Sequence, residues 1–219
     1  EEHKLVGVIT VDDVIDVIKD EATEDIYRLA GVAGDEHVFT PPREALRKRL
    51  PWLAINLGTA VLAAGVVSLF QDTIKEVVAL AVFMPVVAGM GGNAATQTLT
   101  VTVRGIALGE LTWGNSRKAL VKEVLVGLGN GLILGFVAAG VAWVMEGDPV
   151  LGLILGLAMV LNMVVAATAG TLIPIVLRAL KVDPALASSV FITTLTDIFG
   201  FLVFLGLGAA FLDYLRKAV

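Results

Sequence analysis

Five long apolar stretches, separated by short polar connections, fill the chain from residue 51 onward. Their bounds are residues 51–70, 77–103, 124–145, 150–177 and 185–212. Each has the roughly 20 residues that an α-helix needs to cross about 30 Å of hydrocarbon. In lipid the backbone must satisfy its own hydrogen bonds, and a helix does so within one segment. We therefore predict an all-α membrane protein with five transmembrane helices.

The composition supports this prediction and separates the apolar part from an N-terminal head. Hydrophobic residues make up 57% of the 219 residues and charged residues 17%, against about 45–50% and about 25% in a soluble domain. Most acidic residues precede Thr40. The net charge of −5 therefore comes from the head, and it gives no reason to expect a nucleic acid as a partner.

Several kinds of enzyme site are excluded by the residues that the chain lacks. It has no cysteine, and its two histidines, His3 and His37, both lie in the head. An intramembrane metalloprotease needs histidine ligands, and an intramembrane aspartyl protease needs two carboxylates. The apolar stretches hold a single carboxylate, Asp197. We therefore do not expect an enzyme.

The head is predicted to be a strand followed by a helix. Residues 5–10 are rich in β-branched side chains, and apolar residues recur at helical spacing over residues 11–19. This helix is expected to continue through residue 29 and to stop near Gly31 and Gly34, with Asp12 or Asp13 favouring its start. One strand and one helix cannot bury a core, so we expect the head to end a larger cytosolic domain.

The distribution of basic residues predicts the orientation in the membrane. Arginine and lysine flank one side of the predicted helices at Arg43, Arg47, Lys48, Arg49, Arg104, Arg117, Lys118, Lys122, Arg178 and Lys181. The opposite side carries Lys75, the acidic turn at residues 146–148 and the C-terminal pair Arg216 and Lys217. Because basic residues favour the cytosolic side, we expect a cytosolic head and a C-terminus outside.

Asp197 is the strongest candidate for a functional residue. An ionised carboxylate at the centre of a transmembrane helix costs at least ~2.5–3.5 kcal/mol on insertion scales. Ser189, Thr193 and Asp197 recur at every fourth residue, which places them on one helix face. The apolar stretches contain no lysine, arginine or histidine to pair with the carboxylate, so we predict a cation site. The alternative is a polar contact that holds two helices together.

The second apolar stretch carries uncharged polar groups that suit the wall of a pore. Asn93 and Gln97 lie one helical turn apart, next to Gly92 and Thr96. Their oxygens can hold a hydrated cation through its water molecules. The alternative is a helix-packing seam, which the glycines near Pro85 fit equally well.

Two glycine-rich segments, residues 129–135 and 152–156, have some resemblance to nucleotide-binding loops. Both lie inside apolar stretches and lack lysine, so we reject that interpretation. We interpret their glycines as helix-packing positions instead.

An acidic cluster in the head is a weaker candidate for a metal site. Its members are Asp12, Asp13, Asp16, Asp20, Glu21, Glu24 and Asp25. A run of this kind is usually a solvated helix face, and it has no EF-hand spacing. It can collect divalent ions when a second acidic surface faces it, and Asp183, just before the last stretch, is a candidate for that surface.

Four segments together resemble one family, the bacterial MgtE magnesium channels. They read LVGVITVDDVIDVI, EATEDIYRLAGV, PVVAGMGGNAATQT and LKVDPALASSVFITTLTDIFGF, and the resemblance extends over essentially the whole chain. It implies a homodimer in a bacterial inner membrane, with a pore between the subunits lined by the second and fifth spans. It also implies three parts: residues 1–18 end a cystathionine-β-synthase-type (CBS) regulatory domain, residues 19–49 form a connecting plug helix and linker, and residues 50–219 form the pore domain.

The resemblance further implies roles for the candidate residues. Asp197 matches the central pore carboxylate, Thr193 offers its backbone carbonyl nearby, and Ser189 stands where some members carry asparagine. The regulatory magnesium ligands correspond to Asp12, Asp13, Asp16, Glu21, Glu24 and Asp25, with Asp183 as their partner on the membrane domain.

The function implied is a Mg²⁺-selective uptake channel that cytosolic Mg²⁺ closes, so that Mg²⁺ is both transported and regulatory. An alternating-access carrier or exchanger is the other transport mechanism, although no inverted repeat is evident. Selectivity among Mg²⁺, Mn²⁺, Co²⁺ and Ca²⁺ stays open, because oxygen ligands suit several hard cations.

Overall fold

The structure is a computed structural model that describes residues 7–32, 36–186 and 189–216, without the side chains of residues 21, 22 and 186. Within these residues the chain is helical, with no β-strand. Of the strand expected at residues 5–10, only residues 7–10 are described, and they have no regular secondary structure. The expected stop at Gly34 also lies outside the described residues.

The five predicted spans are confirmed as five long apolar helices. They are α2 (Pro42–Ser68), α4 (Ala79–Ala107), α5 (Ser116–Glu146), α6 (Pro149–Ala179) and α7 (Ser189–Ala210). Three further helices are α1 (Val11–Leu29) in the head, the short α3 (Gln71–Glu76) where a polar turn was expected, and α8 (Leu212–Leu215). The chain is thus a multi-pass membrane protein.

Several helices extend beyond the predicted spans, because hydropathy marks the apolar part of a helix rather than its ends. Helix α2 starts at Pro42, so the arginine-rich segment 43–49 forms its first turns. Proline suits that position because its missing N–H has no helical partner there. Helix α5 likewise starts eight residues before the predicted residue 124. Helix α4 runs without interruption through Pro85 and the glycines at 89–92.

Helix α6 is the centre of the bundle. It packs along α5 and also contacts α4 and α7, whereas α2 packs mainly on α7. One buried cluster joins α4, α6 and α7 around Leu80, Met159 and Phe204. A second cluster lies toward the other end of the bundle, around Leu99 and Ile192, and Leu29 of α1 packs against it.

The seam between α5 and α6 is made of small residues. A Cβ atom at Gly135 would lie 2.7 Å from the backbone oxygen of Gly156, and one at Gly152 would lie 2.6 Å from that of Ala139. Distances below 3.0 Å essentially never occur for real Cβ atoms, so glycine allows the two backbones to approach this closely. These glycines are packing positions, as predicted, whereas Gly129 faces open space.

The head consists of one exposed helix whose last turn reaches the bundle. Thr10 caps α1: its backbone N–H and its hydroxyl both donate to Asp13 Oδ2, at 2.9 and 2.6 Å. These bonds, that of the hydroxyl first, lower the pKa of Asp13 from its usual value. The helix ends before Gly31, which has a φ of 71°. Leu29 and the turn at Pro184–Leu186 form the contact with the bundle.

Candidate functional site: a polar groove between α4 and α7

A surface groove follows one face of α4 and reaches α7. Its first part has a volume of about 350 Å³ and is lined by Ala88, Gly89, Gly92, Asn93, Thr96, Thr193 and Asp197. The adjoining part has a volume of about 570 Å³ and is lined by Met90, Asn93, Thr96, Gln97, Thr100 and Val101. Asn93 and Thr96 belong to both parts. The structure therefore brings Asp197 together with all four predicted pore-lining residues along one groove.

Asp197 lies in the middle of α7 and is partly buried at the inner wall of this groove. Among the described residues, no hydrogen bond or ion pair joins its carboxylate to another group. The polar side chains of α4 that line the same part of the groove are the uncharged Asn93 and Thr96. The carboxylate thus has no positive partner in the described part of its own chain, and it is open to the groove.

The threonine hydroxyls along the groove donate to their own helices. Thr96 donates to the carbonyl of Gly92 at 2.9 Å, and Thr100 donates to that of Thr96 at 2.8 Å. Their oxygen lone pairs remain available, so toward the groove these side chains act as acceptors. Together with the amides of Asn93 and Gln97, they give the wall of α4 uncharged oxygen atoms.

Thr193 marks the point at which α4 and α7 approach each other. A Cβ atom built on Gly92 would lie 3.3 Å from Thr193 Cγ2 and 3.7 Å from Thr193 Cβ. The Thr193 carbonyl, predicted as an ion ligand, accepts a hydrogen bond of 2.8 Å from the Thr196 hydroxyl. Ser189 is the first residue of α7 and is not among the residues that line the groove.

Asn162 on α6 is a polar residue that was not predicted to be functional. It is buried directly behind the groove, and its Nδ2 donates a hydrogen bond of 3.0 Å to the carbonyl of Val87 on α4. An amide in the middle of an apolar stretch was the available signal. Its neighbours could not be identified before the helices were packed together.

The predicted facing of head and membrane acids is found at one place, with an arginine between them. Arg28 donates through Nη1 to Asp183 and through Nη2 to Glu24. One guanidinium group thus bridges a carboxylate of α1 and a carboxylate of the turn before α7. Asp183 also accepts the backbone N–H of Ala185 at 2.9 Å, which fixes its orientation. The spacing of Glu24 and Arg28 by four residues was the signal for half of this bridge.

The other predicted head ligands are not gathered into one site. Asp12, Asp13 and Asp16 are exposed on α1, and Asp16 lies 3.5 Å from Lys19. The side chain of Glu21 lies outside the described part of the structure. Within the described residues, no group of three or more acidic or histidine side chains is close enough to hold a metal ion. The regulatory site therefore remains a prediction.

Comparison with known proteins finds similarity to a single family. The MgtE family model, described as a divalent cation transporter, matches residues 84–207. The chain is 38% identical to the magnesium transporter MgtE of Bacillus subtilis over 215 residues, which is 98% of this chain and 48% of that protein. It is 40% identical to the Enterococcus faecalis protein of the same name over 96% of this chain and 46% of that protein.

A third relative has the same extent of similarity. The chain is 38% identical to the magnesium transporter MgtE of Thermus thermophilus, over 97% of this chain and 48% of that protein. The chain thus spans about half the length of the curated relatives it matches. The matched family region contains most of α4 and most of α7, including every residue that lines the two parts of the groove.

Proposed function

The chain belongs to the MgtE family of divalent cation transporters, and from this premise we propose that it forms a magnesium-selective ion channel for Mg²⁺ uptake. The observation that carries the proposal is Asp197, an intramembrane carboxylate on the wall of a polar groove with no positive partner among the described residues. The names of the three relatives, all magnesium transporters, support Mg²⁺ as the transported ion.

The groove suits a magnesium ion that keeps its water molecules. Mg²⁺ dehydrates reluctantly and is usually held by one or two carboxylates with several waters retained. Asp197 supplies the charge that attracts the ion, and the oxygens of Asn93, Thr96 and Gln97 accept hydrogen bonds from its waters. Because neutral oxygens bind the hydrated ion only weakly, the ion can leave as well as enter.

The shape of the groove supports a homodimer with the pore between two chains. The groove is open on one side, and Asn93 and Gln97 are exposed there. Polar side chains facing lipid are costly, so membrane proteins turn them toward a protein interior or a water-filled cavity. A second copy related by a two-fold axis closes the groove and places two Asp197 carboxylates around one ion.

Closure by cytosolic Mg²⁺ is proposed to act through the bridge from α1 to the turn before α7. The carboxylates of Glu24 and Asp183 lie on opposite sides of one cationic group, Arg28. When cytosolic Mg²⁺ is high, it displaces Arg28, joins these carboxylates with other acids of α1, and holds α1 against the pore entrance. When Mg²⁺ is low, Arg28 provides a weaker link and the acidic helix is released.

The orientation and the division of the chain complete the proposal. We place the chain in a bacterial inner membrane with a cytosolic head, as the basic residues favour. Arg216 pairs with Glu76 of α3, and the basic residues of the other connections outweigh the C-terminal pair Arg216 and Lys217. Residues 1–18 belong to a CBS-type regulatory domain, residues 19–49 to the plug helix and linker, and residues 50–219 to the pore domain. The last residues of the linker, 42–49, form the first turns of α2.

Magnesium flux into liposomes tests the proposal. Purified protein is reconstituted around a Mg²⁺-sensitive dye, and uptake is compared between the unchanged chain and Asp197→Ala. The matched control is Asp72→Asn, which alters an exposed carboxylate of α3 far from the groove. Equal uptake by the unchanged chain and Asp197→Ala would contradict the pore assignment.

Bilayer recording separates a channel from a carrier. A channel gives discrete unitary currents whose rate exceeds that of any alternating-access cycle, and a carrier gives saturating flux without such steps. We expect unitary currents carried by Mg²⁺. Flux without them, abolished by Asp197→Ala, would assign the same site to a carrier.

A further inference from the structure

One buried amide lies between the two helices that carry the groove. Asn162, in the middle of α6, is only 2% exposed. Its Nδ2 donates to the carbonyl of Val87 on α4 at 3.0 Å, and that carbonyl identifies the nitrogen, because an oxygen in its place would face another oxygen. The amide also lies against Gly200 of α7. A single side chain of α6 therefore touches both helices.

The contacts with the two glycines are too close for any other residue. A Cβ atom at Gly91 of α4 would lie 2.2 Å from Asn162 Nδ2 and 3.0 Å from its Cγ. A Cβ atom at Gly200 would lie 2.7 Å from the same nitrogen and 3.0 Å from Val87 Cγ1. Distances below 3.0 Å essentially never occur for real Cβ atoms. Asn162 thus fills a space that exists because both facing positions are glycine.

These contacts lie directly behind the groove. Gly91 is followed by Gly92 and Asn93, which line it, and Gly200 follows Asp197 by three residues, about one helical turn. Asn162 itself does not line the groove. It can affect an ion there only by setting the positions of α4 and α7.

We propose that Asn162 is a positioning residue. Its amide sets the spacing of α4 and α7, and thereby the distance between Asp197 and the wall of α4 that carries Asn93 and Gln97. The proposal rests on the proposed function for its effect on ions, but its geometric part does not. The Oδ1 atom of Asn162 is buried and has no hydrogen-bond partner among the described residues. Leaving such an acceptor unpaired is unfavourable, so the amide is better explained by the position it imposes than by stabilisation of the bundle.

A disulfide tests the geometry without any transport assay. The chain has no cysteine, and the Cβ positions of residues 92 and 193 lie 3.7 Å apart, within the range that a disulfide requires. The pair Gly92→Cys and Thr193→Cys is therefore expected to oxidise readily within one chain. Adding Asn162→Ala should slow this oxidation by about tenfold, because interaction energies between contacting residues correspond to changes of about that size.

Magnesium flux then tests the consequence for the ion. Asn162→Ala is expected to shift the half-saturating Mg²⁺ concentration by about tenfold, while the amount of folded protein on size-exclusion chromatography stays the same. The control is Gly129→Ala on α5, where a Cβ atom meets open space, and it should leave both values unchanged. A structural role alone would lower the amount of folded protein and leave the half-saturating concentration as it was.

A double substitution distinguishes the space-filling role from a general effect of altering α4. Gly91→Ala should impair uptake strongly when Asn162 is present, and only about twofold or less in the Asn162→Ala background, because the clash is then relieved. Equal effects of Gly91→Ala in both backgrounds, or an unchanged oxidation rate in Asn162→Ala, would overturn the proposal. If the unchanged chain carries no Mg²⁺, the proposed function fails, and the oxidation rates still decide whether Asn162 sets the helix spacing.

Discussion

Arg28 of the head donates a hydrogen bond to Asp183, 155 residues further along the chain, in the turn before the last transmembrane helix. The same guanidinium group binds Glu24. Both carboxylates are partly exposed, so the bridge contributes little to stability. Its consequence is positional, because it joins the only described helix of the head to the membrane domain at a place where a divalent cation could replace the arginine.

Removing the arginine is expected to make the proposed closure by Mg²⁺ occur at lower Mg²⁺ concentrations. In Arg28→Gln the carboxylates of Glu24 and Asp183 lose their built-in cation, so Mg²⁺ meets no competitor. The Mg²⁺ concentration that half-inhibits flux should fall by about fivefold, within the usual range of coupling between sites. Arg43→Gln, which alters an exposed arginine at the start of α2, is the control and should leave that concentration unchanged.

Removing the acceptor should have the opposite effect. Asp183→Asn takes away the carboxylate that both Arg28 and the proposed regulatory Mg²⁺ need. The half-inhibitory Mg²⁺ concentration should rise by about fivefold or more, and millimolar Mg²⁺ should no longer protect α1 from proteolysis. Asp213→Asn, an exposed carboxylate of α8, serves as the control. A shift in the same direction for Arg28→Gln and Asp183→Asn would rule out competition between the arginine and the ion.

Loss of the proposed pore carboxylate, Asp197, should abolish most of the flux. Asp197→Asn keeps the size of the side chain and removes its charge, so an ion in the proposed pore loses the negative charge that attracts it. We expect uptake at micromolar Mg²⁺ to fall by at least about tenfold, which corresponds to about 1.4 kcal/mol of lost binding. Asp72→Asn should have no effect in the same liposome assay. Retained uptake in Asp197→Asn, with loss in Asp197→Ala, would point to a packing role instead.

The seam between α5 and α6 should tolerate no added methyl group. In Gly135→Ala the new Cβ would meet the Gly156 carbonyl oxygen at 2.7 Å, and overpacking of this kind costs about 1–3 kcal/mol. The melting temperature in detergent should therefore fall. Gly140→Ala on the same helix meets no atom within 4 Å, so it should be neutral or slightly stabilising. Equal melting temperatures for the two variants would show that the backbones are further apart.

The start of α1 should depend on pH through Asp13. Its pKa is lowered by the Thr10 hydroxyl and backbone, so its contribution to the helix start is present above the pKa of the unfolded chain. That contribution is lost as the pH falls through the lowered value. In Thr10→Ala the pKa of Asp13 should rise toward its ordinary value, as followed by NMR titration of its carboxyl carbon. Thr23→Ala, whose hydroxyl binds the Lys19 carbonyl instead, should leave it unchanged.

The candidate groove was largely predictable from the sequence, because its residues repeat at helical spacing on two helices. Asn93 and Gln97 share a face for the same reason that Thr193 and Asp197 do. The ends of the helices were less predictable. Helices continue into the polar region beyond the hydrocarbon, where hydropathy carries no signal, so α2 and α5 start earlier than the apolar stretches do.

The sequence by itself determined five transmembrane helices and the one carboxylate within their apolar stretches, since both follow from the length and composition of single segments. Only the tertiary structure decided that Asn162 meets Gly91 and Gly200, and that Arg28 lies between Glu24 and Asp183. These contacts depend on how each helix is rotated and how closely its backbone approaches the next. Steric fit between segments far apart in the chain sets both quantities, and no single segment encodes that fit.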